Sequence, residues 1–171
     1  NEIVKYAGRS PNMNTVNAIA DHIRAVTFAI GDGVFPSNEE RGYVIRKLIR
    51  RAFEYGRSMG TKGQPFLYKI VPVVAKVMEK PYPELTQQRE SISQAVLEEE
   101  RKNRNTIEEG MPRLREMLKE SKGTGILKGE NIFKLYDTYG FPLELTQEVA
   151  SSENVKLDIA GFEKCMAEQR V

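Results

Sequence analysis

The segment from Ser37 to Arg51 carries polar and basic side chains whose types and spacing suit binding to a phosphate backbone. Between Arg41 and Lys62 there are seven Lys or Arg residues and one acid, Glu54, a net charge of +6, whereas the whole chain is only +2. Guanidinium groups bind phosphate bidentately, and the amide of Asn38 can both donate to and accept from a base edge. These residues predict a nucleic-acid-binding surface with backbone contacts at Arg41, Arg46, Lys47, Arg50, Arg51 and Arg57.

Plainer explanations exist for both parts of this segment. The basic face can be a solvated surface, although charges of one sign repel each other instead of forming ion pairs four residues apart. Ser37 or Asn38 is also a good N-cap, because Glu39 and Glu40 follow in a first turn where the helix dipole favours acids. Taken alone, Asn38 is better explained as a cap than as a base-reading residue.

A second polar position, Asp137, lies in the segment KLYDTYGFP from Lys134 to Pro142. It falls between Tyr136 and Tyr139 near the end of a predicted helix, where an acid opposes the helix dipole. A carboxylate only accepts hydrogen bonds, so Asp137 could accept one from the exocyclic amine of guanine or cytosine. An Asx-type turn, with the carboxylate bound to backbone amides, is an equally good explanation.

The elements that must position these residues are predicted from apolar periodicity and from capping and breaking residues. No segment alternates as a strand does, so the class is mainly α. Gly31 to Gly33 and the segment from Lys80 to Pro83 separate successive helices. The helices are expected at residues 12 or 14 to 30, 40–59, 65–79, 84–121, 130–139, 143–152 and 159–170.

Several finer expectations follow from the same patterns. The second helix should bury a stripe of Tyr43, Val44, Leu48, Ala52 and Tyr55, and the third should turn Phe66, Ile70, Val73, Val74 and Val77 inward. The polar run between Leu97 and Thr106 should project into solvent. Pro112 should kink or break the long helix, with Gly110 giving room. The segment from Ser121 to Gly129 should form a loop or a short hairpin arm.

We therefore expect a helical bundle with one long, kinked, partly projecting helix and a small C-terminal helical subdomain. Its parts are an N-terminal helical part with the basic helix at 1–83, the long segment at 84–121 and the C-terminal part at 122–171. Together these three parts form one recognition domain.

Composition excludes several classes of protein. The chain has 171 residues with one cysteine, Cys165, and one histidine, His22, so neither an internal disulfide nor a zinc finger or ribbon is possible. His22 is more often structural than catalytic in such a setting, and Asp21 and Arg24 could form a surface pair. No apolar run approaches the roughly 20 residues that span a bilayer. We expect a reducing, cytoplasmic location, and the missing initiator Met suggests a piece of a longer protein.

Two segments carry a resemblance to a known family. ADHIRAVTFAIGDGVFPSNEERGYVIRKLIRRA, from Ala20 to Ala52, and KLYDTYGFPLELT, from Lys134 to Thr146, resemble the middle, tRNA-recognition domain of alanyl-tRNA synthetases. The resemblance extends from about Asn17 to Ala167. The chain departs conservatively at Lys47 and Leu48, where the family usually has Arg and Ile.

The resemblance implies a function for both polar positions. Members of the family select their tRNA by a single G·U wobble pair near the end of the acceptor stem, and an Asn and an Asp matching Asn38 and Asp137 flank that pair. The implied partners are the acceptor stem of tRNA(Ala) and the catalytic and editing domains of the parent enzyme, with no membrane. ATP, magnesium and, for editing, zinc are expected only in that parent, so this segment alone should be inactive.

Two alternatives remain open from the sequence. One is a helical protein-interaction scaffold that docks through the long polar helix beginning near Glu84. The other is a non-specific RNA- or DNA-binding module that uses only the basic helix.

Overall fold

The computed structural model describes residues 2–8 and 10–169, and it confirms a mainly α fold. Two 3₁₀ helices, Ile3–Tyr6 and Leu67–Lys69, and two short strands, β1 (Ile126–Leu127) and β2 (Lys156–Leu157), accompany the α-helices. Arg170, the predicted last helical residue, lies outside the described residues. The α-helices are α1 (Met13–Gly31), α2 (Glu40–Ser58), α3 (Val71–Val77), α4 (Pro83–Ser121), α5 (Gly129–Asp137), α6 (Leu143–Ser152) and α7 (Ile159–Gln169).

The contacts divide the chain into two compact units, residues 1–104 and 105–171. The helix α4 therefore contributes its first part to one unit and its second part to the other. The three-part division expected from the sequence stays a prediction. No helix among residues 2–8 and 10–169 is long and apolar enough to cross a membrane.

In the first unit, α1 packs along α2. Asn12 begins α1 as predicted, because its side chain accepts a hydrogen bond of 2.9 Å from the backbone N–H of Asn14. Apolar residues three and four positions apart supply the fully buried core of this pair, including Ile19, Ile23, Ile49 and Phe53.

The buried face of α2 differs from the predicted stripe. It consists of Gly42, Ile45, Ile49, Ala52, Phe53 and Gly56. Tyr43 and Val44, expected inside, are 40% and 54% exposed, so that part of the prediction was wrong. The true face contains two glycines, which a count of apolar side chains does not register.

The predicted third helix is divided in two. A 3₁₀ turn at Leu67–Lys69 precedes α3, because Pro72 lacks the N–H that would bond back to the carbonyl of Tyr68. Phe66 and Ile70 are buried as expected, whereas Val77 is exposed, contrary to the prediction.

The long helix α4 corrects two expectations. It continues through Pro112, which is exposed, so the alternative of a break was wrong, whereas the alternative of a kink stays a prediction. Its polar middle does not project into solvent on all sides, because Glu99, Glu100 and Asn103 are buried. The prediction was wrong because periodicity counts apolar residues and misses acids that are buried with partners.

In the second unit, α5, α6 and α7 surround a core built on Leu114, Leu118, Leu135 and Phe141. The segment after α4 forms β1, which pairs in parallel with β2, so the alternative of a hairpin arm was wrong. Asp158, just after β2, accepts hydrogen bonds from two backbone N–H groups, those of Gly129 at 3.2 Å and Gly161 at 2.9 Å.

Candidate nucleic-acid interface

The loop before α2 holds Asn38 in an exposed position. The helix begins after Glu39, whose side chain makes no capping bond, so neither Ser37 nor Asn38 is the N-cap that the sequence predicts. Ser37 instead stabilises the loop, because its hydroxyl donates to the carbonyl of Glu39 at 3.0 Å and its backbone N–H donates to the carbonyl of Gly42 at 3.1 Å.

Asn38 makes its side-chain contact with Arg46, eight residues further along the chain. Nη1 of Arg46 donates to Oδ1 of Asn38. A guanidinium group has no acceptor, so only the oxygen of the amide can face it. The amide is therefore oriented, and its amino group remains as a hydrogen-bond donor on an exposed side chain.

Arg46 and Arg50 both contact one carboxylate oxygen of Glu99 on α4. Nε of Arg50 lies 2.9 Å from Oε1 of Glu99 and donates a hydrogen bond to it. Nε of Arg46 lies 3.0 Å from the same oxygen, but its N–H is not directed along that line, so this contact is an ion pair without an aligned hydrogen bond. The side chain of Glu99 is 3% exposed, against 17% for Arg46 and 27% for Arg50.

The other predicted phosphate contacts are placed differently. Arg41, Lys47 and Arg51 are exposed. Nζ of Lys47 lies 5.3 Å from the ring centre of Tyr43, and Nε of Arg51 donates to the hydroxyl of Tyr55 at 3.0 Å. Arg57 is paired with Glu54 at 2.8 Å. The role of all six residues in phosphate binding stays a prediction, but three of them are committed to carboxylates within the unit.

His22 contacts an aromatic ring of α2. Its ring packs edge-on against that of Tyr55, with ring centres 5.9 Å apart. Asp21 and Arg24 form the expected surface pair at 3.1 Å.

Asp137 is the last residue of α5 and is exposed. Its Oδ1 accepts a hydrogen bond of 2.7 Å from the side-chain amide of Gln169 on α7, so its partner is a side chain and not the amides of an Asx turn. No contact to Oδ2 is shown within residues 2–8 and 10–169, so this oxygen can accept a further hydrogen bond.

The aromatic residues of the same motif hold the end of α5 in place. Tyr136 packs edge-on against Phe162 of α7, with ring centres 5.6 Å apart, and the guanidinium of Arg113 lies 4.2 Å from the ring centre of Tyr139. The buried Phe141 donates its backbone N–H to the carbonyl of Leu135 at 2.9 Å. These contacts leave Asp137 at the surface.

Glu100, the neighbour of Glu99, binds backbone in the same unit. It accepts hydrogen bonds from the N–H groups of Phe66 and Leu67 at 2.9 Å each and of Tyr68 at 3.1 Å. Burial raises its pKa to about 7, although the three N–H groups and nearby Lys69 favour the charged form.

Sequence analysis missed Glu99, Glu100 and Gln169. A signal for Glu99 was available in principle. A helix with a large surplus of positive charge that packs in a core needs a counter-charge, and adjacent acids within a polar run are the natural source. No comparable signal exists for Gln169.

The oriented amide in the loop before α2, the exposed cations of α2 and the exposed carboxylate at the end of α5 give this α-helical chain surface groups whose chemistry suits phosphate and base-edge contacts. Comparison with known proteins gives the family. The family model for tRNA synthetases class II (A) matches residues 1–171, and the chain belongs to this family.

Alanine–tRNA ligases from several bacteria are similar to the chain. That of Enterococcus faecalis is 51% identical over 169 residues, and that of Listeria welshimeri is 49% identical over 169 residues, each covering 98% of the chain and 19% of the relative. That of Geobacillus thermodenitrificans is 47% identical over 166 residues, covering 95% of the chain and 19% of the relative. The chain thus spans about a fifth of the length of these relatives.

Proposed function

We propose that this chain is the tRNA-recognition domain of an alanine–tRNA ligase. It binds the acceptor stem of tRNA(Ala), distinguishes a G·U wobble pair in the minor groove and presents the tRNA end to the catalytic domain of its parent enzyme. That enzyme, in the cytoplasm, esterifies alanine to tRNA with ATP. ATP, Mg²⁺ and Zn²⁺ belong to the catalytic and editing domains, and the chain alone is inactive in aminoacylation.

The observation that carries this proposal is the oriented amide of Asn38. Because Arg46 engages its oxygen, Asn38 offers RNA a donor, and the minor groove presents acceptors at pyrimidine O2 and purine N3. The minor groove of an RNA helix is wide and shallow, so short side chains reach it. Exposed Lys47 and Arg51 on the same helix provide phosphate contacts.

Asp137 supplies the complementary chemistry. A wobble pair leaves the exocyclic amine of guanine unpaired in the minor groove, and a carboxylate can only accept from it. In a G·C pair one N–H of this amine is bonded to O2 of cytosine and only the other faces the minor groove, so the carboxylate finds a weaker donor there than in the wobble pair. A hydrogen bond to a carboxylate contributes roughly 1–3 kcal/mol. Asp137 is exposed, so we expect the lower end, a preference of about fivefold.

The test is binding of the chain to two acceptor-stem RNA hairpins that differ only in G·U against G·C, each at two salt concentrations. We expect a preference for G·U that Asn38→Ala and Asp137→Asn each abolish. Matched controls are Asn17→Ala, which changes another exposed asparagine, and Glu163→Gln, which neutralises another exposed carboxylate. Equal binding of the unaltered chain to both hairpins would sink the base-pair claim.

The non-specific binder is a second candidate, because Arg41, Lys47 and Arg51 are all exposed. It predicts equal, salt-sensitive binding to both hairpins. The scaffold alternative loses part of its basis, because the polar middle of α4 buries Glu99, Glu100 and Asn103 and does not offer them to a partner.

A further inference from the structure

Two arginines of α2 contact the carboxylate of Glu99. Its carboxylate is 3% exposed, and the Nε atoms of two arginines lie within 3.0 Å of one oxygen. A buried carboxylate requires such partners, because losing them leaves an uncompensated charge. The carboxylate in turn restricts the two arginine side chains, each of which would otherwise sample many rotamers in solvent.

The contacts form a continuous path from α4 to the exposed amide. Glu99 pairs with Arg46, and Arg46 donates to Oδ1 of Asn38 through a different nitrogen, Nη1. Neither Glu99 nor Arg46 needs to contact RNA for this path to act. If Arg46 were free, Asn38 would lose the donor that fixes which end of its amide is presented, and no other described residue is shown to replace it.

We infer that Glu99 is a positioning residue that fixes Arg46, and through it the donor end of Asn38, while withholding Arg46 and Arg50 from phosphate. The consequence for base-pair discrimination rests on the proposed function, whereas the positioning itself does not. In this assignment the phosphate contacts of α2 fall to Arg41, Lys47 and Arg51, which are exposed and bind no carboxylate among the described residues.

The decisive variant is Glu99→Met, which keeps an unbranched side chain of similar length and removes the charge. It releases two guanidinium groups, so binding to both hairpins should strengthen at low salt and the salt slope should steepen by about 1 to 2. The G·U preference should fall to within twofold of unity. A purely structural role would weaken binding to both hairpins and would not steepen the salt slope.

Two matched variants separate position from net charge. Glu98→Met removes one charge from the preceding, exposed residue, whose side chain accepts from Gln94 at 3.2 Å, and it should leave preference and slope unchanged. Glu99→Gln keeps an acceptor in place and should retain an intermediate preference. An equal effect of Glu98→Met and Glu99→Met would overturn the assignment.

A readout without RNA keeps the inference distinct from the proposed function. In ¹⁵N-labelled protein, Glu99→Met should shift the side-chain NH₂ signals of Asn38 and the Nε–H signals of Arg46 and Arg50. Unchanged signals in a folded Glu99→Met protein would overturn the positioning, whatever the RNA results. If the unaltered chain shows no G·U preference but the NMR shifts of Glu99→Met are present, the proposed function would be refuted and the positioning role of Glu99 would stand.

If Glu99→Met does not fold, Arg46→Met provides the test, because it interrupts the path and leaves the Arg50–Glu99 bond intact. We expect the Asn38 signals to shift and the preference to be lost. Unshifted Asn38 signals together with an unchanged G·U preference in Arg46→Met would overturn the inference.

Discussion

The backbone N–H of Phe66 donates a hydrogen bond of 2.9 Å to Oε1 of Glu100, which lies 34 residues further along the chain. Leu67 donates to the same oxygen and Tyr68 to the other, so one buried carboxylate joins α4 to the 3₁₀ turn before α3. The ionisation of Glu100 therefore bears on the stability of the first unit.

The free energy of unfolding should depend on pH through Glu100. Burial raises the pKa of Glu100 from 4.5 to about 7 in the folded chain, so the folded state holds a proton that the unfolded state has released. This contribution is complete below pH 4.5 and is lost as the pH rises through 7. Relative to Glu100→Gln, the native chain should lose at most about 3 kcal/mol between pH 5 and 8 in urea titrations.

Because the native chain and Glu100→Gln share all other carboxylates, the pH dependence due to those groups cancels in the difference between their free energies of unfolding. Glu98→Gln, at an exposed position, should show no such difference from the native chain across the same pH range. A constant difference between the native chain and Glu100→Gln would contradict the prediction.

Gly42→Ala should disturb the Asn38 loop. A Cβ atom at this position would lie 2.1 Å from Oγ of Ser37 and 2.5 Å from the carbonyl oxygen of Phe35, so the loop must move away from α2. We expect a loss of about 1–3 kcal/mol in stability and of the G·U preference. Gly123→Ala is the control, because no atom of the described residues beyond its two chain neighbours lies within 4 Å of its Cβ position, and it should leave both quantities unchanged.

Lys47→Ala should weaken binding to both RNA hairpins equally. Lys47 is exposed and forms no ion pair among the described residues, so its charge is available to phosphate. The slope of log affinity against log salt should become shallower by about 1, with the G·U preference retained. Lys76→Ala, an exposed change on α3, should leave the slope as it was. A selective loss of G·U binding in Lys47→Ala would argue against a phosphate contact.

Gly110→Ala should destabilise the second unit, although alanine is the better helix former by about 1 kcal/mol. An added Cβ would lie 2.3 Å from Cδ2 of the buried Phe141, and overpacking of this kind costs about 1–3 kcal/mol. Thermal unfolding measures the sign. Phe141→Leu in the Gly110→Ala background should recover part of the loss, and a net gain in stability for Gly110→Ala would contradict the close contact.

Most helix bounds, α3 excepted, are predictable from the sequence because local signals set them. Asn12 caps α1, and α6 occupies Leu143–Ser152 as its pattern predicts. Gly110 has a role in the structure that differs from the one predicted. It admits the ring of Phe141 and does not mark a break at Pro112.

The positioning of the candidate site was less predictable because its partners are distant in sequence. Arg50 and Glu99 are 49 residues apart, and no local pattern pairs them. The inward face of α2 was misjudged since glycines form part of it. Taken alone, Asn38 is predicted as an N-cap, yet Arg46, a charged donor eight residues further along the chain, engages its oxygen.

The pair of two-residue strands limits how short a segment carrying Asp137 can be if it is to be transplanted into another protein and keep its structure. The carbonyl of Gly125 accepts from the N–H of Lys156 at 2.9 Å, and that of Leu127 accepts from Asp158 at 3.0 Å, so α5 and α6 lie within a chain loop fastened at its base. A graft of the segment from Lys134 to Pro142 alone would lack these two hydrogen bonds between the strands. Any portable version must carry the chain beyond Asp158, where Phe162 still supports the helix that ends in Asp137.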